Sequence, residues 1–206
     1  MVSAVQRAIV PYRAEQGVAD KFTLQLISHP MLRSTHFVFR PFIASDAPAF
    51  VEAVRESTTT LAPWMPWADK LYSMAQALAW IDFCRQGWEQ RHYFEFGVFE
   101  AGSGAFVGGC GLNQLNPLHA YCNLGYWVRT SAQRRGAATE AICTLSQFGF
   151  AELHLGRIEI AVAVGNAASL GAARRAGALE ECVARNRLKL GERFIDAHVL
   201  SLVAVA

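Results

Sequence analysis

GYWVRTSAQRRGAATEA, Gly125 to Ala141, passes from the end of an apolar strand into an alanine-rich helix through a loop that carries Arg134 and Arg135. The spacing predicts that the strand ends at Val128-Arg129-Thr130 and that the helix starts near Gly136. A helix start leaves N–H groups without partners, and the helix dipole adds positive potential there, so the spot attracts anions. Gly136 has no side chain to block an approach, and Ala137 and Ala138 block it little. Arginine meets phosphate oxygens through paired hydrogen bonds. The whole suits a diphosphate, although the loop alone also fits two solvated arginines ahead of a helix.

Outward from this stretch, the chain reads as one mixed α/β domain over 35–206, preceded by a poorly ordered arm over 1–34 that Pro11, Gly17 and Pro30 interrupt. THFVFRPF alternates as a strand, and Ser45-Asp46 offers a cap for a helix to about Glu56 with Pro48 in its first turn. TLAPWMPWADKLY is a loop. Ser73 and Gln76 form a capping box for a second helix, on which Ala77, Trp80, Ile81, Cys84 and Trp88 share one face. YFEFGVFE and AFVGGCGLNQL pair as a hairpin through Ala101–Gly104. The glycines of that hairpin fall out of register with a dinucleotide-binding G-x-G-x-x-G and lead into a strand, so they serve a bulge or close packing. RIEIAVAV is a buried strand, Asn166 caps a short helix ending at Gly177, and two strands close the chain.

Composition narrows the function classes. A chain of 206 residues, 52% hydrophobic and 17% charged, has enough apolar material for a large core. A formal net charge of +2 gives no argument for a nucleic-acid partner. No apolar run approaches the ~20 residues that cross a bilayer, so the expectation is a soluble, cytoplasmic protein with no membrane partner. Its five cysteines form no CxxC pair and no metal-ligand spacing, and read as buried reduced thiols with no metal site.

Q-x-x-G-x-A (Gln133, Gly136, Ala138) followed by Thr139-Glu140-Ala141 resembles the acyl-CoA pyrophosphate loop of the GNAT superfamily of N-acetyltransferases. Over about Thr35 to Val203 the chain is similar, more narrowly, to the Rim-type branch, which includes ribosomal-protein N-terminal acetyltransferases. The landmarks stand in order: FRPF with Ser45-Asp46, WMPW, AWIDF with Trp88, NLGYWV, QRRGAATEA, FGFAELHLGRIEI, GNAASLGAARRAGALEE and GERFIDAHVLS. The resemblance implies a twisted, mostly antiparallel sheet, flanked by helices, whose two central parallel strands splay apart. It implies acetyl-CoA as co-substrate, with pantetheine on the main chain of Trp127, Val128 and Arg129. Pyrophosphate would lie at Gln133, Arg134, Arg135, Gly136, Ala137, Ala138 and Thr139, with Asn166 also near the cofactor. Two departures stand out. A glutamate frequent two positions before the G-Y pair is Asn123 here, and a glutamate proposed as base in some relatives falls near Arg187 or Leu188.

Making an amide from a thioester needs a neutral amine, an oriented carbonyl and a proton for the departing thiolate. The tyrosine that many GNAT enzymes carry seven residues after the asparagine is replaced by Ala173. The Rim-type N-x-x-S is present as Asn166 and Ser169, which implies a catalytic role for Ser169 beside plain capping. The candidate bases are Glu95, His119 and Asp196. Glu95 is preferred, because a carboxyl between Phe94 and Phe96 takes a raised pKa if buried. Trp64 and Trp67 either anchor their loop in the core or wall an apolar funnel for the amine acceptor. The reading is therefore acetyl transfer from acetyl-CoA to a primary amine, a peptide N-terminus or a small molecule, by a monomer or homodimer. The alternative is an acyl-CoA-binding module without turnover.

Overall fold

The computed structural model describes residues 30–204, so the greater part of the arm assigned to 1–34 lies outside the described residues. Eight strands form one sheet: β1 (Leu32–Arg33), β2 (Phe37–Arg40), β3 (Phe94–Glu100), β4 (Phe106–Asn116), β5 (Tyr121–Val128), β6 (Arg157–Ala163), β7 (Leu179–Leu190) and β8 (Arg193–Val203). Their spatial order is β1-β2-β3-β4-β5-β6-β8-β7, and every neighbouring pair is antiparallel except β5 with β6. This is the sheet that the resemblance implied.

Among the described residues five α-helices flank it: α1 (Ala47–Glu56), α2 (Thr58–Leu61), α3 (Met74–Gln90), α4 (Ala137–Ala151) and α5 (Ala167–Arg175). Phe94, Phe96, Leu112, Leu124 and Ile158 point to the face covered by α4, where they meet Ile142 and Leu145. On the other face Phe99 and Phe106 pack with Phe50 and Val54 of α1 and with Ile81 of α3. Burying each such side chain stabilises by about 1.5–3 kcal/mol. Alternation along the strands thus divides the core into two layers, with the site between them at the centre of the sheet.

Several local expectations match the structure. Ser73 Oγ accepts from Gln76 N at 3.3 Å while Gln76 Oε1 accepts from Ser73 N at 2.9 Å, the capping box at the start of α3. Asn166 Oδ1 accepts from Ser169 N at 3.1 Å, and Gly177 after α5 sits at φ +88°. Others need correction. Asp46 caps nothing with its side chain at α1; its carboxylate turns back to Ile43 N at 2.9 Å and pairs with both terminal nitrogens of Arg40, an ion pair available only in three dimensions. Part of the loop read between residues 60 and 72 is helical, since α2 reaches Leu61. Cys84, Cys110 and Cys122 are buried free thiols as expected, whereas Cys143 and Cys182 are exposed.

Candidate active site

The parallel pair decides the site. β5 and β6 are joined only over Tyr121–Asn123 and Arg157–Glu159. Beyond that, β5 stays with β4 as far as Val128 and β6 stays with β8 as far as Ala163, so the two diverge and a crevice opens between them. Residues on one strand send their main-chain groups alternately to either side. Arg129 N donates to Val107 O at 2.8 Å, and the Trp127 carbonyl lies so close to Gly108 that a Cβ there would meet it at 2.1 Å. Trp127 and Arg129 therefore direct their main-chain groups to β4. Those facing the crevice belong to Tyr126 and Val128.

The loop after β5 is pinned to the end of α1. Thr130 N donates to Ser57 Oγ at 2.9 Å and Ser131 N to Glu56 Oε1 at 2.7 Å. The Arg129 guanidinium pairs with Glu52 at 2.6 Å and with Glu56, so its charge is committed to α1 and not to the crevice. Gln133 Nε2 donates to Val128 O at 3.3 Å, bracing the loop against the strand it leaves. Arg134 at φ +63° and Gly136 at φ +89° then take left-handed backbone, the kind of turn that gathers successive N–H groups into an anion-binding concavity.

Glu140 N donates to Gly136 O at 2.9 Å, the first bond of α4. Among the described residues no protein acceptor reaches the N–H groups of Arg134, Arg135, Gly136, Ala137, Ala138 and Thr139. Arg134 and Arg135 are exposed beside them and enter no ion pair among the described residues. Glu140, the acid of this first turn, is tied to the segment before β2: its carboxylate accepts from Ser34 Oγ at 2.5 Å and from His36 N at 3.1 Å. The helix start thus presents free donors and positive charge, with its one acid held as a carboxylate by Ser34 and His36.

Behind the crevice, on the face of α1 and α3, lies a cavity of about 410 Å³. Glu95 lines it, 9% exposed, on a strand whose neighbours Phe94 and Phe96 face the opposite layer. Burial pushes its carboxyl up to about 7, against the opposing effect of Asn113 Nδ2, which donates to Oε1 at 3.3 Å. Asn113 is oriented in turn by Asn123, whose Nδ2 donates to Asn113 Oδ1 at 2.9 Å. So the residue standing where relatives frequently carry a glutamate belongs to a relay that ends on Glu95.

The glycines of β4 have a purpose in the same place. A Cβ on Gly111 would lie 2.1 Å from Glu95 Oε2, and one on Gly109 would lie 2.8 Å from Trp127 Nε1. Gly111→Ala is accordingly expected to displace the carboxyl and destabilise the fold by about 1–3 kcal/mol, which chemical denaturation checks.

Trp67 and Trp64 part company. Trp67 lines the cavity with its ring 5.8 Å from that of Trp127. Trp64 reaches instead to Gly165 after β6, within 3.6 Å of where a Cβ would sit. Of the other candidate bases, His119 is exposed in the β4–β5 turn, and Asp196 Oδ1 accepts from Asn186 N at 2.9 Å at a bulge of β7. Neither lines the cavity.

Ser169, in the first turn of α5, meets a side chain that the sequence reading passed over. On the α4 side of the sheet Tyr126 reaches α5, its Oη 2.8 Å from Ser169 Oγ and 3.0 Å from Ser169 O. Desolvation raises the phenol above its ordinary value, so it stays protonated and able to donate. Tyr126 also lines the cavity that holds Glu95. A strand tyrosine thus stands opposite α5, where Ala173 left the helix without one. The only sequence signal was its place two residues before the strand end.

A sheet of this order, opened at one parallel pair onto an unpartnered helix start, defines an acyltransferase class of fold, and comparison with known proteins agrees. Residues 36–179 match the acetyltransferase (GNAT) domain family. The chain belongs to the GNAT family of acetyltransferases. It is similar to the provisionally named ribosomal N-acetyltransferase YdaF of Bacillus subtilis (strain 168), 28% identical over 82% of this chain and 91% of that one. It is also similar to a provisionally assigned ribosomal-protein-serine acetyltransferase from Vibrio cholerae, 30% identical over 84% of this chain and 97% of that one, with a TM-score of 0.76. Mycobacterium smegmatis RimJ, solved with a CoA-disulfide, shares the fold at a TM-score of 0.76, with 22% identity over 85% of this chain and 87% of that one. These names agree with the Rim-type resemblance seen in the sequence. No helix among the described residues is long and apolar enough to cross a membrane.

Proposed function

We propose that this protein transfers the acetyl group of acetyl-CoA to a primary amine by direct attack in a ternary complex. The observation that carries the reading is the row of donors from Arg134 to Thr139, left free at the mouth of the β5–β6 crevice. Pyrophosphate is held there, with the Arg134 and Arg135 guanidiniums beside it. Val128 and Tyr126 offer main-chain groups to the pantetheine arm, which occupies the crevice as an added strand would. Gln133 acts by bracing the loop, and Asn166 by fixing the start of α5.

The thioester then arrives at the strand opening, with the Glu95 cavity on the α1 and α3 side and the Tyr126 phenol on the α4 and α5 side. The neutral amine, its ammonium proton lost to solvent, attacks the thioester carbonyl carbon and the C–S bond breaks. The proton of the attacking nitrogen passes to Glu95, the sulfur takes a proton from Tyr126, and the proton on Glu95 returns through solvent to the phenolate. Positioning supplies much of the rate, since effective molarities of ~10⁵–10⁸ M attend well-oriented groups. Binding without turnover is not favoured, because the chain belongs to an acetyltransferase family and carries a buried acid on one side of the opened sheet and a protonated phenol on the other.

The test is thiol release on mixing the protein with acetyl-CoA and a panel of primary amines. Release that depends on the amine supports transfer; tight binding of acetyl-CoA with no release across the panel contradicts it. Two further expectations attach to this reading. kcat/KM should rise with pH through a limb near 7, where Glu95 loses its proton, and the limb should vanish in Glu95→Gln. Tyr126→Phe should lower kcat about tenfold or more with KM for acetyl-CoA little changed, and Ser169→Ala should do the same to a smaller degree, because Ser169 acts beside the phenol.

A further inference from the structure

The cavity at Glu95 also constrains the acceptor. Its walls are aromatic: Trp67, Tyr72, Trp80, Phe83 and Trp127 surround the space in front of the carboxyl. Its charged lining residues are Glu95 and Asp69, both acids, and no arginine, lysine or histidine is among the lining side chains. Asp69 has its own task, since Oδ1 accepts from Leu71 N at 2.6 Å in the loop before α3. At about 410 Å³ the space falls toward the small end of ligand pockets and suits a single ring with a short tether.

From this lining we infer that the acceptor is a small arylalkylamine: a primary amine on an apolar, ring-bearing body with no anionic group. The inference rests on the acetyltransferase reading above and names its substrate class. An incoming ammonium is drawn by the aromatic walls and by the Glu95 carboxylate, and loses its proton to solvent before attack. The ring replaces water against Trp67, Trp80 and Phe83, which aromatic contact favours. A carboxylate or phosphate on the same body loses its hydration, finds no cation among the lining groups and faces two acids. A polyamine gains nothing from the apolar walls and must desolvate its second charge.

The experiment compares 2-phenylethylamine, L-phenylalanine, L-phenylalaninamide and spermidine with acetyl-CoA, reading kcat/KM by thiol release and amine affinity by calorimetry with CoA present. 2-Phenylethylamine is expected to exceed L-phenylalanine and spermidine by at least about tenfold in both readings. L-Phenylalaninamide, which adds a neutral group of the same size, should fall between 2-phenylethylamine and the amino acid. Equal or better use of L-phenylalanine or spermidine overturns the inference and leaves acetyl transfer standing. Rejection of the amide as strong as that of the acid also overturns it, because size and not charge would then discriminate.

Binding of 2-phenylethylamine without acetylation of any amine overturns the transferase reading while supporting the cavity's preference; failure of 2-phenylethylamine both to bind and to react overturns the preference itself. Ala79→Arg gives a second, independent arm. Ala79 is an exposed residue of α3 on the cavity wall, where arginine suits the helix. The added cation should narrow the ratio between 2-phenylethylamine and L-phenylalanine at least threefold; an unchanged ratio contradicts the electrostatic argument.

Discussion

Glu95→Gln is expected to cut turnover by about 10²–10⁴-fold, the usual contribution of a positioned general base, and at the same time to make the protein more stable at pH 8. The two effects share one cause. Burial holds the Glu95 carboxyl at about 7 where 4.5 is ordinary. A folded-state pKa above the unfolded one means that the folded protein binds more protons between those values, so stability falls as pH rises from about 4.5 through 7 and stays reduced above. That shift corresponds to a cost of about 3 kcal/mol at pH 8, all but absent at pH 4. Glutamine keeps an acceptor for Asn113 and carries no charge, so it removes the cost together with the base. Chemical denaturation at pH 5 and pH 8 checks the sign: the gain in Glu95→Gln should appear at pH 8 and shrink at pH 5. A variant slow at all pH values but no more stable at pH 8 would mean that the carboxyl is solvated.

Gly136→Glu is expected to weaken acetyl-CoA binding more than about 100-fold, beyond detection in ordinary calorimetry. Three physical effects act in the same direction. A side-chain residue at φ +89° is strained by about 1–3 kcal/mol. Its Cβ would lie 3.5 Å from Glu140 Oε1, so the new carboxylate enters the neighbourhood of an existing one. Most directly, bulk and negative charge occupy the place where the N–H groups of α4 and the helix dipole would meet phosphate. Gly136→Ala separates these effects, since it carries the strain without the charge and should lose only about tenfold.

Much of this was legible in local sequence. The Ser73 and Gln76 capping box, the Asn166 cap and Gly177 each depend on contacts within a few residues, and each appears where expected. The basic loop and its glycine likewise read directly, because a strand, a turn and a helix start are consecutive in the chain. What escaped depends on residues far apart. Asp46 turned from cap to ion-pair partner because β2 places Arg40 beside it. Tyr126 looked like one more strand aromatic until the divergence of β6 set Ser169 opposite it. The glycine run of β4 read as packing, and so it is; that it packs specifically against Glu95 and Trp127 follows from the register of three strands. Glu95 is preferred on its place between two phenylalanines, but its burial at the cavity, which His119 and Asp196 do not line, needed the fold.

The amide N–H signals of residues 134–139 offer the most direct measurement of the central claim, followed by heteronuclear NMR as CoA is titrated into the protein. The account predicts that the amides of Gly136, Ala137, Ala138 and Thr139 shift furthest and saturate with the binding curve, with Tyr126 and Val128 next. Saturable binding of CoA that leaves those helix-start amides unmoved would contradict it.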